Sequence, residues 1–147
     1  MSSANSRRDL KHKVFMAMAI DLAWLSTCCR RKVGCILIDK RDRIIGLGYN
    51  GVPAGEIHCT DVQCPGAFAP SGTALELCEA IHAEANALLV CERPFEIERC
   101  YTVASPCLHC IKLLLNTSCV DLYYTVEYPH ALAKERWQRA GRFWHKL

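Results

Sequence analysis

A chain of 147 residues has the size of one domain, able to bury roughly two thirds of its unfolded surface around a single core. Its composition, 51% hydrophobic and 22% charged with 8 Gly and 6 Pro, excludes a disordered or low-complexity protein. A net charge of +3 with only two short basic runs, SRRDLKHK and RRK, is too weak to imply a polyanion partner, and both runs are expected to be solvated.

The longest apolar run, VFMAMAIDLAWL, is broken by Asp21 and falls short of the roughly 20 residues that a membrane span needs. The opening residues lack the apolar segment of a secretory signal, so a cytoplasmic protein with no membrane partner is expected. In a reducing compartment, 11 cysteines point to metal ligands and small core residues rather than disulfides.

Taken in chain order, a first helix is expected from Asp9 to Ser26, with Val14, Met18, Leu22 and Leu25 as its apolar stripe. VGCILID, the polar turn KRDR and IIGLGYN form a hairpin. From Tyr49 to about Leu77 the chain is rich in Gly, Pro and Ser with little periodicity, and loops of that length are usually functional or tied down. A second helix is expected through CEAIHAEANALLVCE, ending before Arg93-Pro94. RCYTVAS then reads as a strand, CLHCIKLLLNT as a helix opening just after Pro106, VDLYYTV as a strand, HALAKERWQRAG as a helix stopped by Gly141, and RFWHKL as a final strand. This order predicts a single three-layer α/β/α domain around a mixed five-stranded sheet. Strands 4 and 5 should be parallel, because a crossover helix joins them.

The chemistry concentrates in two short motifs, HAE (His82 to Glu84) and SPCLHC (Ser105 to Cys110). H-x-E followed by P-C-x-x-C is the signature of the zinc-dependent base deaminases. Cys107 and Cys110 stand three apart at a helix start, so they share a face, and the helix N-terminus favours the thiolates that zinc requires. His82 completes a three-ligand set and leaves one tetrahedral position open for water, the mark of a catalytic rather than a structural zinc. Zinc lowers the pKa of such a water from about 15.7 toward about 7. Glu84, two residues from His82, suits a neighbour of that water better than a fourth ligand, and it is the candidate catalytic acid and base. It would take the proton of the water that attacks C4 of a cytosine ring and deliver protons to N3 and the departing amine. C-x-x-C alone could equally be half of a structural zinc ribbon. The upstream HAE decides against that, and His109 reads as a surface residue.

Of the remaining cysteines, Cys35, Cys100 and Cys119 lie in or beside apolar strands and Cys91 ends a helix, which makes them small core residues. Cys59, Cys64 and Cys78 bracket the long loop, and Cys28 or Cys29 precedes the first strand. A second, structural zinc held by Cys28, Cys59, Cys64 and Cys78 would fix a loop with few apolar residues of its own. Cys29 could replace Cys28 and His58 could replace one thiolate. The alternative is a set of reduced thiols under a mobile loop.

In order and spacing, RRKVGCILI, IIGLGYNGVPAG, CEAIHAEANAL and SPCLHC resemble the deoxycytidylate (dCMP) deaminases of the cytidine deaminase superfamily, from about Val14 to the C-terminus. GYNGxPxG is the most discriminating element. STCCRRKVG, HC, QC and SGTALELC are similar to the phage and prokaryotic branch, whose members bind an extra structural zinc, and this leans toward Cys28 over Cys29. The resemblance implies conversion of dCMP to dUMP for thymidylate synthesis, in homohexamers activated by dCTP with Mg2+ and inhibited by dTTP. It further implies that Asn50 holds the deoxyribose, that the backbone of Ala83 lies beside the base and that Tyr128 is near the substrate phosphate. Gly48, Tyr49, Asn50, Gly51, Pro53 and Gly55 match the loop associated with the allosteric nucleotide. Tyr128 is equally readable as an ordinary strand-end aromatic, and Lys32 with its neighbouring arginines is a phosphate candidate on charge alone. Deamination of cytosine within a polynucleotide would need a basic groove with stacking aromatics, against which the weak charge argues. A non-enzymatic zinc module would have no need of Glu84.

Overall fold

The computed structural model describes residues 3–70 and 72–147. Met1, Ser2 and Ser71, the first residue of SGTALELC, lie outside the described residues. Helix α1 (Ser3–Ala23) leads into the hairpin β1 (Gly34–Asp39) and β2 (Ile44–Tyr49), and the long loop that follows holds only the short 3-10 helix Leu75–Leu77. Then come α2 (Ala83–Val90), β3 (Ile97–Ala104), α3 (Leu108–Leu115), β4 (Asp121–Val126), α4 (Ala131–Arg139) and β5 (Phe143–Lys146).

The sheet runs in the order β2-β1-β3-β4-β5. β1 is antiparallel to both β2 and β3, whereas β3 with β4 and β4 with β5 are parallel. The expected mixed sheet, with its last two strands parallel across a helix, is therefore present. Alternation along the strands feeds two cores. Cys35 and Leu37 of β1 with Cys100, Leu122 and Tyr124 pack under α2, α3 and α4, while Ile36, Ile38, Tyr101 and Tyr123 pack under α1. Cys35, Cys91, Cys100 and Cys119 are all buried in the first of these cores, as expected of small hydrophobes.

The apolar stripe expected on α1 is displaced. Of the four, Leu22 packs on the core, but Val14, Met18 and Leu25 are 49%, 39% and 59% exposed, and the helix buries Met16, Ala19 and Ala23. A close approach explains this. A methyl group on Gly34 of β1 would stand 2.9 Å from Ala23 N and would overlap the Ala19 carbonyl, so only the small Ala19 and Ala23 fit where α1 crosses β1, while Met16, Phe15 and Leu22 pack on the core to the side of that contact.

The second helix is also shorter than its apolar pattern. It opens at Ala83, with His82 as its N-cap, and Cys78 to Ile81 are not helical. Ile81 instead forms an isolated antiparallel bridge with Gly51, its N–H donating to Gly51 O at 2.8 Å and its carbonyl accepting from Gly51 N at 3.1 Å. Capture of this backbone by another strand-like segment overrides a weak helical propensity.

At the far end, Arg142 closes α3. Its Nη1 donates to the carbonyls of Leu114 and Cys119, and its Nη2 to those of Leu115 and Thr117. One guanidinium thus satisfies carbonyls that a helix end and its exit turn leave without partners. No described helix is long and apolar enough to cross a membrane.

Two stability outcomes follow. Asp42, in the left-handed region at φ 61°, accepts from Lys11 and Arg99, and these bonds, that from Lys11 foremost, hold its carboxyl below the ordinary 3.8. A depressed carboxylate pKa contributes stability above its unfolded value and loses it as pH falls through the folded one. Asp42→Asn, which keeps the left-handed backbone, should lower Tm by about 2–4 °C at pH 7, and the gap should close below pH 4. At Gly48 of β2 an added methyl would stand 2.6 Å from Ala83 O, so Gly48→Ala should cost about 1–3 kcal/mol in urea unfolding.

Candidate active site and metal centre

The candidate site lies where β3 ends and where α2 and α3 begin. His82 caps α2 and Cys107 caps α3, so both residues sit where free backbone N–H groups and the helix dipole favour negative charge. His82 Nδ1 stands 3.4 Å from Cys107 Sγ and 3.5 Å from Cys110 Sγ. Among the described residues these three form the one set of at least three ligand-type side chains whose donor atoms all lie within 4.8 Å of one another.

The spacing fits a metal. Bonds of about 2.0 Å to nitrogen and about 2.3 Å to sulfur in a tetrahedral zinc site separate the ligand atoms by about 3.5–3.8 Å. The donor set of one imidazole and two thiolates matches zinc's preference for nitrogen and sulfur. The two thiols titrate as a pair: the hydrogen bond from Cys110, joined by one from His82, brings Cys107 down to about 3, while the same bond and burial push Cys110 up. The hydrogen bond with Cys107 raises His82.

Glu84 lies beside this set and is only 4% exposed. Burial pushes its carboxyl pKa up, opposed by its own backbone N–H, the His82 charge and the Thr102 hydroxyl. Thr102 Oγ1 lies 3.2 Å from Glu84 Oε1 and 3.0 Å from the carbonyl of Ala104. Isolated carboxylates are seldom buried without a partner or a task. Position and burial both suit a group that carries protons next to the metal rather than one that binds it.

His82, Glu84 and Cys107 line a cleft together with Arg30, Arg31, Asn50, Ala83, Ser105 and Tyr128, among others. The cleft therefore brings together all three substrate residues that the sequence suggested. Asn50 is buried and uses both ends of its amide on its own chain, Nδ2 donating to Arg31 O at 2.6 Å and Oδ1 accepting from Val33 N at 2.9 Å. Tyr128 is tied to the end of β3 by its N–H, which donates to Ser105 Oγ at 2.6 Å. Neither Thr102 nor Ser105 had a role in the reading of the sequence. The one signal available was a polar residue inside an apolar strand and at its end.

The remaining residues of the GYNG run have structural partners. Gly48 lets α2 approach β2, the carbonyl of Tyr49 accepts from Asn86 Nδ2 at 2.8 Å, and Gly51 pairs with Ile81. Pro53 and Gly55 continue into the loop, where a methyl on Gly55 would meet nothing within 4 Å.

The loop cysteines converge only in part. Cys59 Sγ lies 3.5 Å from Cys64 Sγ and accepts from Cys64 N at 3.4 Å. Cys29, not Cys28, makes the contact from the first strand's side, at 3.2 Å from Cys59. Burial opposes ionisation of Cys59, but the bonds from Cys64 and Cys29 bring it down to about 7. Burial pushes the Cys78 thiol up. Cys28, Cys59, Cys64 and Cys78 do not all come within ligand spacing of one another. His58 is exposed and faces Asp61 at 3.9 Å. The sequence also placed Cys78 one helical turn before His82 on a shared helix. The structure corrects this, since Cys78 ends the 3-10 helix Leu75–Leu77.

Comparison with known proteins agrees with this geometry. The chain is 34% identical over 134 residues to ComE operon protein 2 of Bacillus subtilis, covering 88% of this chain and 67% of that protein. It is 37% identical over 120 residues to the deoxycytidylate deaminase of Mycobacterium phage D29, covering 77% of this chain and 92% of the phage protein. Against the deoxycytidylate deaminase of Schizosaccharomyces pombe it is 36% identical over 78% of this chain but spans only 36% of the yeast protein. The dCMP deaminase of the cyanophage S-TIM5, solved in complex with dCMP and dUMP, superimposes with a TM-score of 0.71 at 26% identity, covering 100% of this chain and 99% of that one. Residues 9–126 match the model for the cytidine and deoxycytidylate deaminase zinc-binding region, and the chain belongs to that family.

Proposed function

We propose that the protein hydrolyses dCMP to dUMP and ammonia and so feeds thymidylate synthesis. The observation that carries this is the buried Glu84 carboxylate beside three side chains at zinc spacing, in a cleft lined by arginines. Support for dCMP as the substrate comes from the phage and yeast relatives named deoxycytidylate deaminase and from the S-TIM5 enzyme that binds dCMP and dUMP.

His82, Cys107 and Cys110 would hold the catalytic zinc, and the chemistry it supplies when bound is acidification of a water to a nucleophile near neutral pH. Glu84 takes the proton from the attacking water and delivers it to ring N3. Once the C4–O bond has formed, Glu84 takes the remaining proton from the C4 hydroxyl and passes it to the amine, and the C4–N4 bond then breaks to leave a C4 carbonyl and ammonia. Thr102 holds the carboxylate in place, and the backbone of Ala83, in the first turn of α2, flanks the base. Asn50 would hold the deoxyribose and Tyr128 would stand near the phosphate.

The same reading includes a structural zinc on Cys59, Cys64 and Cys78 with Cys28 or Cys29, supported by the thiol contacts around Cys59. It also includes regulation at Gly48–Gly55, with dCTP and Mg2+ activating and dTTP inhibiting, in a single-domain protein working in the cytoplasm, that of the host if the protein is phage-encoded. A homohexamer is supported by outward apolar residues that a lone chain leaves uncovered, among them Trp24 at 73% and Leu89 at 76% exposure.

In an assay of cytidine, dCMP and dCTP, each with and without dTTP, dCMP should be the preferred substrate. Glu84→Gln should lose at least about 1000-fold in kcat while keeping its zinc. Full turnover by that variant would remove Glu84 from the mechanism. Metal analysis should find about two zinc ions per chain in the wild type and about one in both Cys110→Ala and Cys59→Ala. Unchanged zinc in Cys59→Ala would rule out the second site.

A further inference from the structure

The face of the sheet under α1 carries a stack of rings that the deamination chemistry does not use. Tyr101, Tyr123 and His145 stand opposite one another on the neighbouring strands β3, β4 and β5. In that register their rings stack, Tyr101 on Tyr123 at 4.9 Å and 11°, and Tyr123 on His145 at 4.5 Å and 16°. His12 of α1 closes over Tyr123 at 4.4 Å, with its Nδ1 2.7 Å from the Tyr101 hydroxyl. The other end of the stack is uncovered. β5 is the last strand of the sheet, and the His145 side chain, held by Asp121 at 2.7 Å, is 38% exposed beside Phe143 at 57%.

Tyr123 and His145 border an open hollow of about 730 Å3 at the end of the sheet where β3 and β4 begin, opposite the metal set. Hollows of this volume suit small ligands. Five cations line it, Arg7, Arg8 and Lys11 from α1, Lys40 from the turn after β1 and Arg99 from β3, against three carboxylates. Two of the carboxylates are engaged, Asp42 by Lys11 and Arg99, and Asp121 by His145. The remaining cations, Arg7, Arg8 and Lys40, outnumber the remaining acid, Glu98. Burial foremost, then the charges of Arg99 and His145, hold the His12 imidazole below its ordinary 6.5 against Asp9 and Asp121. Flat rings with one open side and an excess of positive charge thus meet in one concavity, where a field of one sign is focused.

We propose that this hollow is a second ligand site, for a planar aromatic ring that carries phosphate. The ring extends the stack on the open side of His145, and the phosphate oxygens accept from Arg8 and its neighbours Arg7 and Lys40. Guanidinium groups pair strongly with phosphate, and stacking accepts any flat ring. An acidic peptide or inorganic phosphate would meet the cations but leave the stack unused. The site shares no lining residue with the catalytic cleft, so it stands apart from the deamination reading.

Calorimetric titration of the zinc-loaded protein, with dUMP added to fill the cleft, tests this with ADP, adenosine and pyrophosphate as probes. ADP should bind at least about 10-fold more tightly than adenosine or pyrophosphate. Arg8 is exposed, so Arg8→Met keeps the fold, and it should weaken ADP about 10-fold and flatten the salt dependence of binding. His145→Ala should weaken ADP by a similar factor, and His145→Phe, which keeps a flat ring, should restore it. ADP bound no better than pyrophosphate would remove the ring from the site. An affinity unchanged in Arg8→Met or in His145→Ala would place the binding elsewhere. Either result, or no binding of ADP, overturns the proposal.

Discussion

Helix α2 lies so close to β2 that Gly48 has no room for a methyl group beside Ala83 and Ala87. That contact, with the Gly51–Ile81 backbone bridge just before it, sets the point at which α2 starts. His82 becomes the N-cap because the chain before it is held as a strand-like segment and the chain after it must coil against the sheet. The imidazole then meets two sulfurs presented by α3, whose own position is fixed at its far end by Arg142. Ligand spacing within a few tenths of an ångström is thus a product of helix placement, not of flexible side chains finding one another.

The same arrangement explains how a carboxylate can sit in the core. Glu84 occupies the first turn of α2, where backbone N–H groups are free, and it has a hydroxyl from β3 and an imidazole nearby. A divalent cation at His82, Cys107 and Cys110 would add the largest local charge and would favour the ionised form of its neighbour. The burial of Glu84 and the metal set are therefore parts of one electrostatic arrangement.

The order of elements, the sheet type and the grouping of His82, Cys107 and Cys110 were legible in the sequence because they show as short local patterns: the apolar run VGCILID before a polar turn, and the three-residue step from Cys107 to Cys110. What it hid depends on distance through space. The alanines that α1 buries follow from a glycine in β1, and the late start of α2 follows from a bridge to residue 51. Cys28 and Cys29 are adjacent in the chain, yet the fold buries one and sets the other against Cys59. Arg30, Arg31 and Lys32 are all basic in the sequence, and only folding separates a loop tether, a cleft-lining side chain and a surface charge.

Four consecutive residues, Gly48 to Gly51, tie three parts of the chain together: Gly48 and Tyr49 meet helix α2, Asn50 the segment just before β1, and Gly51 the segment that ends in His82. A ligand that bound the following loop and shifted this run would displace His82 and the cleft wall at Asn50 in one movement. Linkage then requires the coupling to be reciprocal, so substrate in the cleft would alter that ligand's affinity by the same factor. An effector acting here would change turnover and substrate affinity together, because one short run carries both connections.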